Sequence, residues 1–431
     1  MKNNYIKPSI LPGFMELLPN DQAIFNDIVN KITNIYENNG CLSIDTPIIE
    51  KSSVLLAKSG GETEKQVYRF EKGKNDLSLR VDLTVPFARY VAQHYNDLVF
   101  PFKKYQLGKV YRGERNQRGR YREFYQLDVD VIGKDKLSVY NDAWVISLAS
   151  KAFKSIGLND YKFKISNRKI LKGVLSQLQI DDVQEVVTLI DKYDKIGKDA
   201  FNKSLRDIIG DEKSIYLTNL LNLNESNDIL LDKLMNLNIQ NEFFSEGLNE
   251  LKKVVSTLKI LGVKDNEFEV DLKIIRGLDY YTGSVFETFL IGNEQFGSIC
   301  SGGRYDNLAE NYTNNILPGV GISIGLTRLF FVLKEIGFID RYNIKSSSDY
   351  LIIPIGNTLE YSGKVMSELN KKGYNASIYF EEDSLKKKLS YANKLNINNV
   401  IFIGESEVDN NEIKIKNMIS GEEKVINYKD L

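Results

Sequence analysis

The segment from Lys109 to Gly133, KVYRGERNQRGRYREFYQLDVDVIG, constrains the fold more than any other. From Val110 to Ile132 apolar and polar residues alternate on both sides of a polar loop, a period-two pattern that specifies a long antiparallel hairpin. Between Lys103 and Glu123 eight Lys/Arg face two Glu. A basic loop standing alone is a solvated turn; the flanking strand pattern argues for a site. Arg112 and Glu114 are two residues apart and share a strand face, so a guanidinium fork stands beside an acceptor. Gly113 and Gly119 let the loop fold closely over a ligand. Arginine forks bind phosphate oxygens in pairs, so the loop suits a triphosphate.

Around the hairpin the pattern changes several times. From about Pro19 to Asn39, Ile24, Ile28, Ile32 and Ile35 recur at helical spacing and predict an amphipathic helix. Short strand-like runs follow at Leu42 to Ile49, Val67 to Phe70 and Ser78 to Val81. From about Asn167 to Lys264 the chain turns Leu-rich with polar interruptions, the composition of an inserted helical module. Strands are expected again at Phe268 to Ile275 and Val285 to Ile291, and GVGISIGLTRLFFVLKEIG reads as a strand passing into a helix. After Lys345-Ser346-Ser347-Ser348 the expected order is strand (350–354), helix (359–372), strand (376–380), helix (384–395), strand (400–404). That alternation predicts a small, parallel-rich α/β domain. Lys386, Lys387, Lys388 and Lys394 on its second helix offer either a solvated face or a polyanion contact.

With 431 residues the chain is long enough for two or three domains. A formal net charge of -1 excludes a global positive field, so any RNA contact must use local basic patches. Cys41 and Cys300 have neither metal-ligand spacing nor a disulfide framework. No segment approaches the ~18 apolar residues of a membrane span, and no signal peptide is read at the N-terminus; a cytoplasmic enzyme is expected. The sole histidine, His94, lies in a helical-looking run and reads as a surface residue, so the chemistry must run without a histidine base.

Two further segments carry polar groups that a plain core would not tolerate. RGLDYYTGSVFE, from Arg276, and GGRYDNL, from Gly302, offer Asp279, Tyr280, Tyr281 and Tyr305 to a small polar heterocycle. PGVGISIGLTRLF, Pro318 to Phe330, has small residues for close strand packing and puts Arg328 in the first turns of the following helix.

Taken together these segments resemble histidyl-tRNA synthetase. The hairpin resembles class II motif 2, Pro47 in IDTPIIE the end of motif 1, and GISIGLTRL motif 3. RGLDYYTG followed by GGRYD is the more specific signal, similar to the two histidine-enzyme signatures, and LPGFMELLP, RVDLTVPFARY and SLKKKLSYANKLNINNVIFIGESE agree. The resemblance implies an α+β class II synthetase core, an antiparallel sheet with flanking helices. On this reading residues 1–166 and 265–345 form the core, 167–264 the inserted module, and 346–431 an α/β anticodon-binding domain. It also implies a homodimer that uses ATP with Mg²⁺ to join L-histidine to tRNA(His) through a histidyl-adenylate. Arg112 would hold the α-phosphate and the histidine carboxylate, and Arg276 is the implied catalytic arginine at the α-phosphate. Glu114 would receive the adenine amino group, Phe124 and Arg328 would stack on its two faces, and Arg120 would reach the γ-phosphate. Asp82, Thr84 and Gln126 would bind the substrate amino group. Asp130 and Tyr281 would take the imidazole nitrogens, with Tyr280 and Tyr305 in the same pocket.

Asp82 and Asp130 stand where the common bacterial pattern has glutamates, and RVDLTVPFARY is closer to the archaeal and eukaryotic variant. The main rival is a non-catalytic paralogue that binds histidine as regulatory subunit of ATP phosphoribosyltransferase. Such paralogues tend to lose the anticodon domain and the motif arginines, whereas Arg112, Arg276 and Arg328 are all present here. RGLDYYTG with GGRYD also counts against class II enzymes for threonine, proline or glycine.

Overall fold

A computed structural model describes residues 6–57, 62–115, 117–275, 280–342 and 348–430, without the side chains of Glu62, Thr63 and Asp194. The chain divides into two compact units, Met1–Phe338 and Ile339–Leu431.

The first unit is built on an eight-stranded sheet. Its strands are β1 (Leu42–Ser43), β2 (Phe102–Tyr111), β3 (Glu123–Ile132), β4 (Tyr161–Asn167), β5 (Phe268–Val270), β6 (Ser284–Leu290), β7 (Cys300–Tyr305) and β8 (Gly319–Gly325). They lie in the order β1-β2-β3-β8-β7-β6-β4-β5. The six central strands are antiparallel throughout, as the family resemblance implies, and short parallel strands β1 and β5 finish the edges.

The predicted hairpin is β2 and β3, paired from Phe102↔Ile132 to Tyr111↔Glu123. Alternation sends Leu127, Val129 and Val131 to one face of β3 and Gln126, Asp128 and Asp130 to the other. On the apolar face lies helix Pro19–Asn38, where Phe25 meets Tyr125 at 5.5 Å and Tyr36 meets Tyr105 at 6.1 Å between ring centroids. The buried stripe of that helix is Ile24, Phe25, Ile28, Ile32 and Tyr36, so Tyr36 takes the inward position and Ile35 is only half-buried. Helices Tyr140–Ser155 and Leu326–Glu335 pack against β8 and β3. The opposite face of β3 is polar and nevertheless buried, and that is where a site would form.

Two expected strands are shorter than the apolar pattern suggests. The run from Leu42 to Ile49 divides into β1 and Ile49–Lys51, which joins Asn75–Leu79 and Arg69–Lys72 in a separate antiparallel sheet. Pro47 stands between the two pieces, and a proline cannot donate to a ladder. β5 stops at Val270 because the Lys273 backbone N–H turns back to Asp271 Oδ1 at 3.0 Å, an Asx turn.

From Arg168 to Ile260 the first unit is helical. Its first helix, Arg168–Gln177, is capped by Asn167, whose side chain accepts from the Lys169 N–H; its last, Glu242–Ile260, is capped by Asn241, which accepts from Phe244.

The second unit carries a five-stranded mixed sheet in the order Ala376–Ile378, Tyr350–Pro354, Asn399–Ile403, Glu412–Asn417, Glu423–Asn427. The first three strands are parallel, as the alternation with helices Leu359–Lys371 and Leu385–Lys394 predicts. The last two extend the sheet antiparallel beyond the strands that the alternation predicts. Ile352, Ile401 and Ile413 cover one face with Tyr361 and Val365, while Leu351, Ile353 and Val400 cover the other with Ala392.

Candidate active site

Residues from β3, β6, β7 and β8, the loop that follows β2 and the segments at the strand ends line two neighbouring cavities. The first contains Arg112, Glu114, Arg120 and Phe124 from the hairpin and Arg328 from helix Leu326–Glu335. All five residues that the resemblance assigns to ATP are therefore brought together. The hairpin loop holds its shape through backbone contacts: Arg112 N–H donates to Arg122 O at 2.8 Å, and Gly113 N–H to Gln66 O at 2.7 Å. Gly119 turns the loop at φ +74°, a conformation that favours glycine, close to the Phe331 ring.

Each arginine in this cavity is oriented. Arg112 donates from Nε to Val81 O at 3.0 Å, and its guanidinium lies 5.2 Å from the Phe124 ring centroid. Arg120 reaches Glu114 at 3.3 Å. Arg328 donates to Gly119 O at 3.3 Å and Ser298 O at 2.8 Å. Burial depresses the Arg328 pKa, and Arg120 and Arg112 nearby add to that effect, so the cavity gathers positive charge that an anion would relieve.

The second cavity is lined by Asp82, Thr84, Gln126, Tyr280 and Tyr281 together with Arg112. Asp82 sits at the start of helix Thr84–Gln93 and accepts from the Val85 N–H at 2.9 Å. Burial raises its pKa, opposed by that N–H and by Arg112. Gln126 donates to Ser323 Oγ on β8 at 2.9 Å. Arg112, Gln126, Ser301 and Ser323 belong to the walls of both cavities.

Asp130 and Tyr305 lie behind this wall. The Tyr305 hydroxyl donates to Asp130 Oδ1 at 2.8 Å, and Lys104 Nζ stands 2.7 Å from Oδ2. Lys104 is opposite Asp130 in the hairpin register and is fully buried. Arg276 and Asp279 fall outside the described residues. His94 lines neither cavity; its ring lies tilted against Tyr90, 4.7 Å between centroids, and it stands 3.7 Å from Asp97.

Sequence reasoning passed over Asp128, Ser323, Glu287 and Lys104. Asp128 was findable, because it stands midway between Gln126 and Asp130 on the same strand face. It lines the second cavity, and burial pushes its carboxyl up to about 7 although Lys104 opposes the shift. Arg304 of GGRYD serves the fold instead, donating to Asp142 at 2.7 Å and tying β7 to helix Tyr140–Ser155. Cys300 touches the first cavity, but burial raises its thiol, and Cys41 is likewise pushed up to about 12, so neither is an activated nucleophile.

The histidyl-tRNA synthetase family model matches residues 13–329, and an anticodon binding domain model matches residues 349–431. The chain belongs to the histidyl-tRNA synthetase family. A histidine–tRNA ligase of Clostridium acetobutylicum is 61% identical over 429 residues, covering 100% of both chains. That of Clostridium tetani is 49% identical, covering 100% of this chain and 98% of its own. The crystal structure of histidyl-tRNA synthetase from a Nostoc species superposes with a TM-score of 0.88 at 35% identity, covering 98% of this chain and 97% of that one. Family membership agrees with the class II synthetase core and with a separate C-terminal unit that has its own sheet. Among the described residues no helix is long and apolar enough to cross a membrane.

Proposed function

We propose that this chain ligates L-histidine to tRNA(His) at the expense of ATP, with the two cavities serving as one reaction chamber. The observation that carries this reading is the seam between them: Arg112 stands in the wall of both. ATP would occupy the first cavity and histidine the second, so that the histidine carboxylate and the α-phosphate meet beside one guanidinium.

In the first step a carboxylate oxygen of histidine attacks the α-phosphorus. The new bond is O–Pα, the bond to the β-phosphate bridging oxygen breaks, and pyrophosphate leaves. Two anions must approach in line, so fixed positive charge and positioning matter more than a base. Arg112, Arg120 and Arg328 supply that charge from the described residues, and Arg276 is assigned to the α-phosphate by resemblance. Glu114 and Phe124 would hold the adenine amino group and ring, while Asp82, Thr84 and Gln126 would take the ammonium group of histidine. In the second step the terminal ribose hydroxyl of the tRNA attacks the mixed anhydride, forming the ester and releasing AMP. Magnesium enters with the nucleotide as MgATP; Mg²⁺ is commonly held by substrate phosphates with few protein ligands.

The same reading makes the protein a cytoplasmic homodimer whose C-terminal unit binds the anticodon. Leu42, Ile48 and Ile49, exposed on either side of Pro47, support an apolar edge for a second copy. A monomer by sedimentation at micromolar concentration would overturn that part.

The test of the activity is ATP–pyrophosphate exchange with each amino acid supplied singly, with Mg²⁺ and without tRNA. Exchange with histidine alone is expected. Histidine binding without exchange would favour the regulatory-subunit reading instead.

A further inference from the structure

The two adjacent tyrosines of the second cavity, Tyr280 and Tyr281, sit just before a peptide plane that is held from both sides. A peptide unit is planar, so its C=O and N–H turn together. In the plane joining Tyr281 to Thr282, the N–H donates to Arg304 O on β7 at 2.8 Å. The C=O of the same plane accepts from Arg168 Nη1 at 2.9 Å. Arg168 grips the segment a second time, its own backbone N–H donating to Gly283 O at 3.0 Å. Tyr281 is packed closely as well: a Cβ on Gly303 would stand 2.9 Å from its Cδ1. Its ring meets that of Tyr280 at 5.0 Å between centroids, and both residues line the second cavity.

Arg168 opens the helical stretch of the first unit, in helix Arg168–Gln177, and its base is stiff. Asn167, one residue earlier, pairs with Ser284 in the β4–β6 register and caps the helix. Lys169, one residue later, reaches Glu246 and Glu250 on helix Glu242–Ile260 at 2.7 Å each. A Cβ on Gly247 of that helix would stand 2.8 Å from Lys169 Cβ, so the two helices touch there. The guanidinium thus extends from a fixed point to the backbone of the cavity wall.

We propose that Arg168 is a positioning residue for histidine activation, holding the Tyr281–Thr282 peptide so that the Tyr281 phenol meets the substrate ring. This rests on histidine occupying the second cavity with its ring against Tyr281. β7 fixes the N–H end of the plane and Arg168 the C=O end. Without Arg168 the plane turns about the Arg304 contact, and Tyr281 shifts with it. Displacements on the order of 1 Å matter in a site of this kind. None of the residues from 280 to 283 lines the first cavity, so the nucleotide groups stay where they are.

The experiment is steady-state ATP–pyrophosphate exchange on the full-length protein, its Arg168→Met and Tyr281→Phe variants, and the double variant. Arg168→Met is expected to raise the histidine KM by ~10-fold, the scale of one lost hydrogen bond from a charged donor. The ATP KM is expected to stay within about twofold. The two substitutions are expected not to add in the double variant, because the Tyr281 contact can be lost only once. An unchanged histidine KM would overturn the proposal. So would equal rises in both KM values, or additive effects, since either describes a residue that serves the fold alone. Should the Met variant fail to fold, the same cycle on Arg168→Gln decides by the same criteria, because that side chain stays polar but ends two bonds short of Nη1. Failure of the wild-type protein to exchange with histidine at all would instead bring down the functional reading on which this one rests.

Discussion

Lys104 and Asp130 show what a buried charge pair does at the scale of single residues. Both are essentially buried and stand 2.7 Å apart. Removing one partner leaves the other charged and unsolvated, which costs about 3–5 kcal/mol. Lys104→Met is therefore expected to destabilise the protein by that amount in urea denaturation, and adding Asp130→Asn is expected to restore most of it. A loss below ~1 kcal/mol for Lys104→Met would mean that water reaches the pair. Asp128 provides a second prediction, in pH. Its folded pKa of about 7 lies above the ~3.9 of an unfolded aspartate. Between those values the native state binds more protons than the unfolded chain, so this group's contribution to stability falls as pH rises and is gone above about 7. Asp128→Asn removes the dependence. The stability of the variant relative to wild type is expected to improve as pH rises from about 5 to about 8, measured by denaturant unfolding at each pH. A difference that stays flat would mean that Asp128 ionises near its ordinary value.

Elements differ in how clearly they were written in the sequence, and the reasons are physical. The hairpin was legible because alternation persists through both strands and the polar loop marks the turn. It carries Arg112, Glu114, Arg120, Phe124 and Gln126 on one continuous segment, so a large part of the candidate site came with it. The Lys104–Asp130 pair was not legible, because it depends on a register fixed by the centre of a long loop rather than by the strands themselves. β4 (YKFKISN) was hidden for another reason: it runs directly into a helix, and only the cap at Asn167 separates the two. Glu412–Asn417 and Glu423–Asn427 are partly exposed strands with charged outward residues, a pattern that reads as loop when seen one segment at a time. The Asn167 cap supplies a prediction at this scale. Its Oδ1 accepts from the Lys169 N–H, while its Nδ2 donates to Glu250 at 2.7 Å. Asn167→Ala loses the cap, a cost of about 0.5–2 kcal/mol. Asn167→Asp keeps a capping oxygen but sets a carboxylate against Glu250 inside the fold. Thermal unfolding is expected to show the Asp variant at least as destabilised as the Ala variant. An Asp variant as stable as wild type would mean that capping alone explains the residue.

At the scale of the whole molecule, the walls of both cavities come from the first unit, Met1–Phe338. The second unit has its own sheet with a core on each face. On the proposed reading amino-acid activation and tRNA recognition are thus separable in principle, because every residue assigned to adenylate formation belongs to the first unit. A chain ending at residue 342 is expected to keep histidine-dependent pyrophosphate exchange within about threefold of the full-length rate, since a factor of three is under ~1 kcal/mol and no cavity residue is lost. Its charging of tRNA is expected to fall by ~10²-fold or more, the scale of ~3 kcal/mol of lost recognition. The two assays must be run on one preparation, with near-UV circular dichroism showing that the fragment keeps packed aromatic side chains such as Tyr280, Tyr281 and Tyr305. Loss of exchange by a folded fragment would mean that the second unit holds the reaction chamber together. Undiminished charging would mean that tRNA is recognised by the first unit alone, and the basic run Lys386–Lys388 would then be no more than a solvated face.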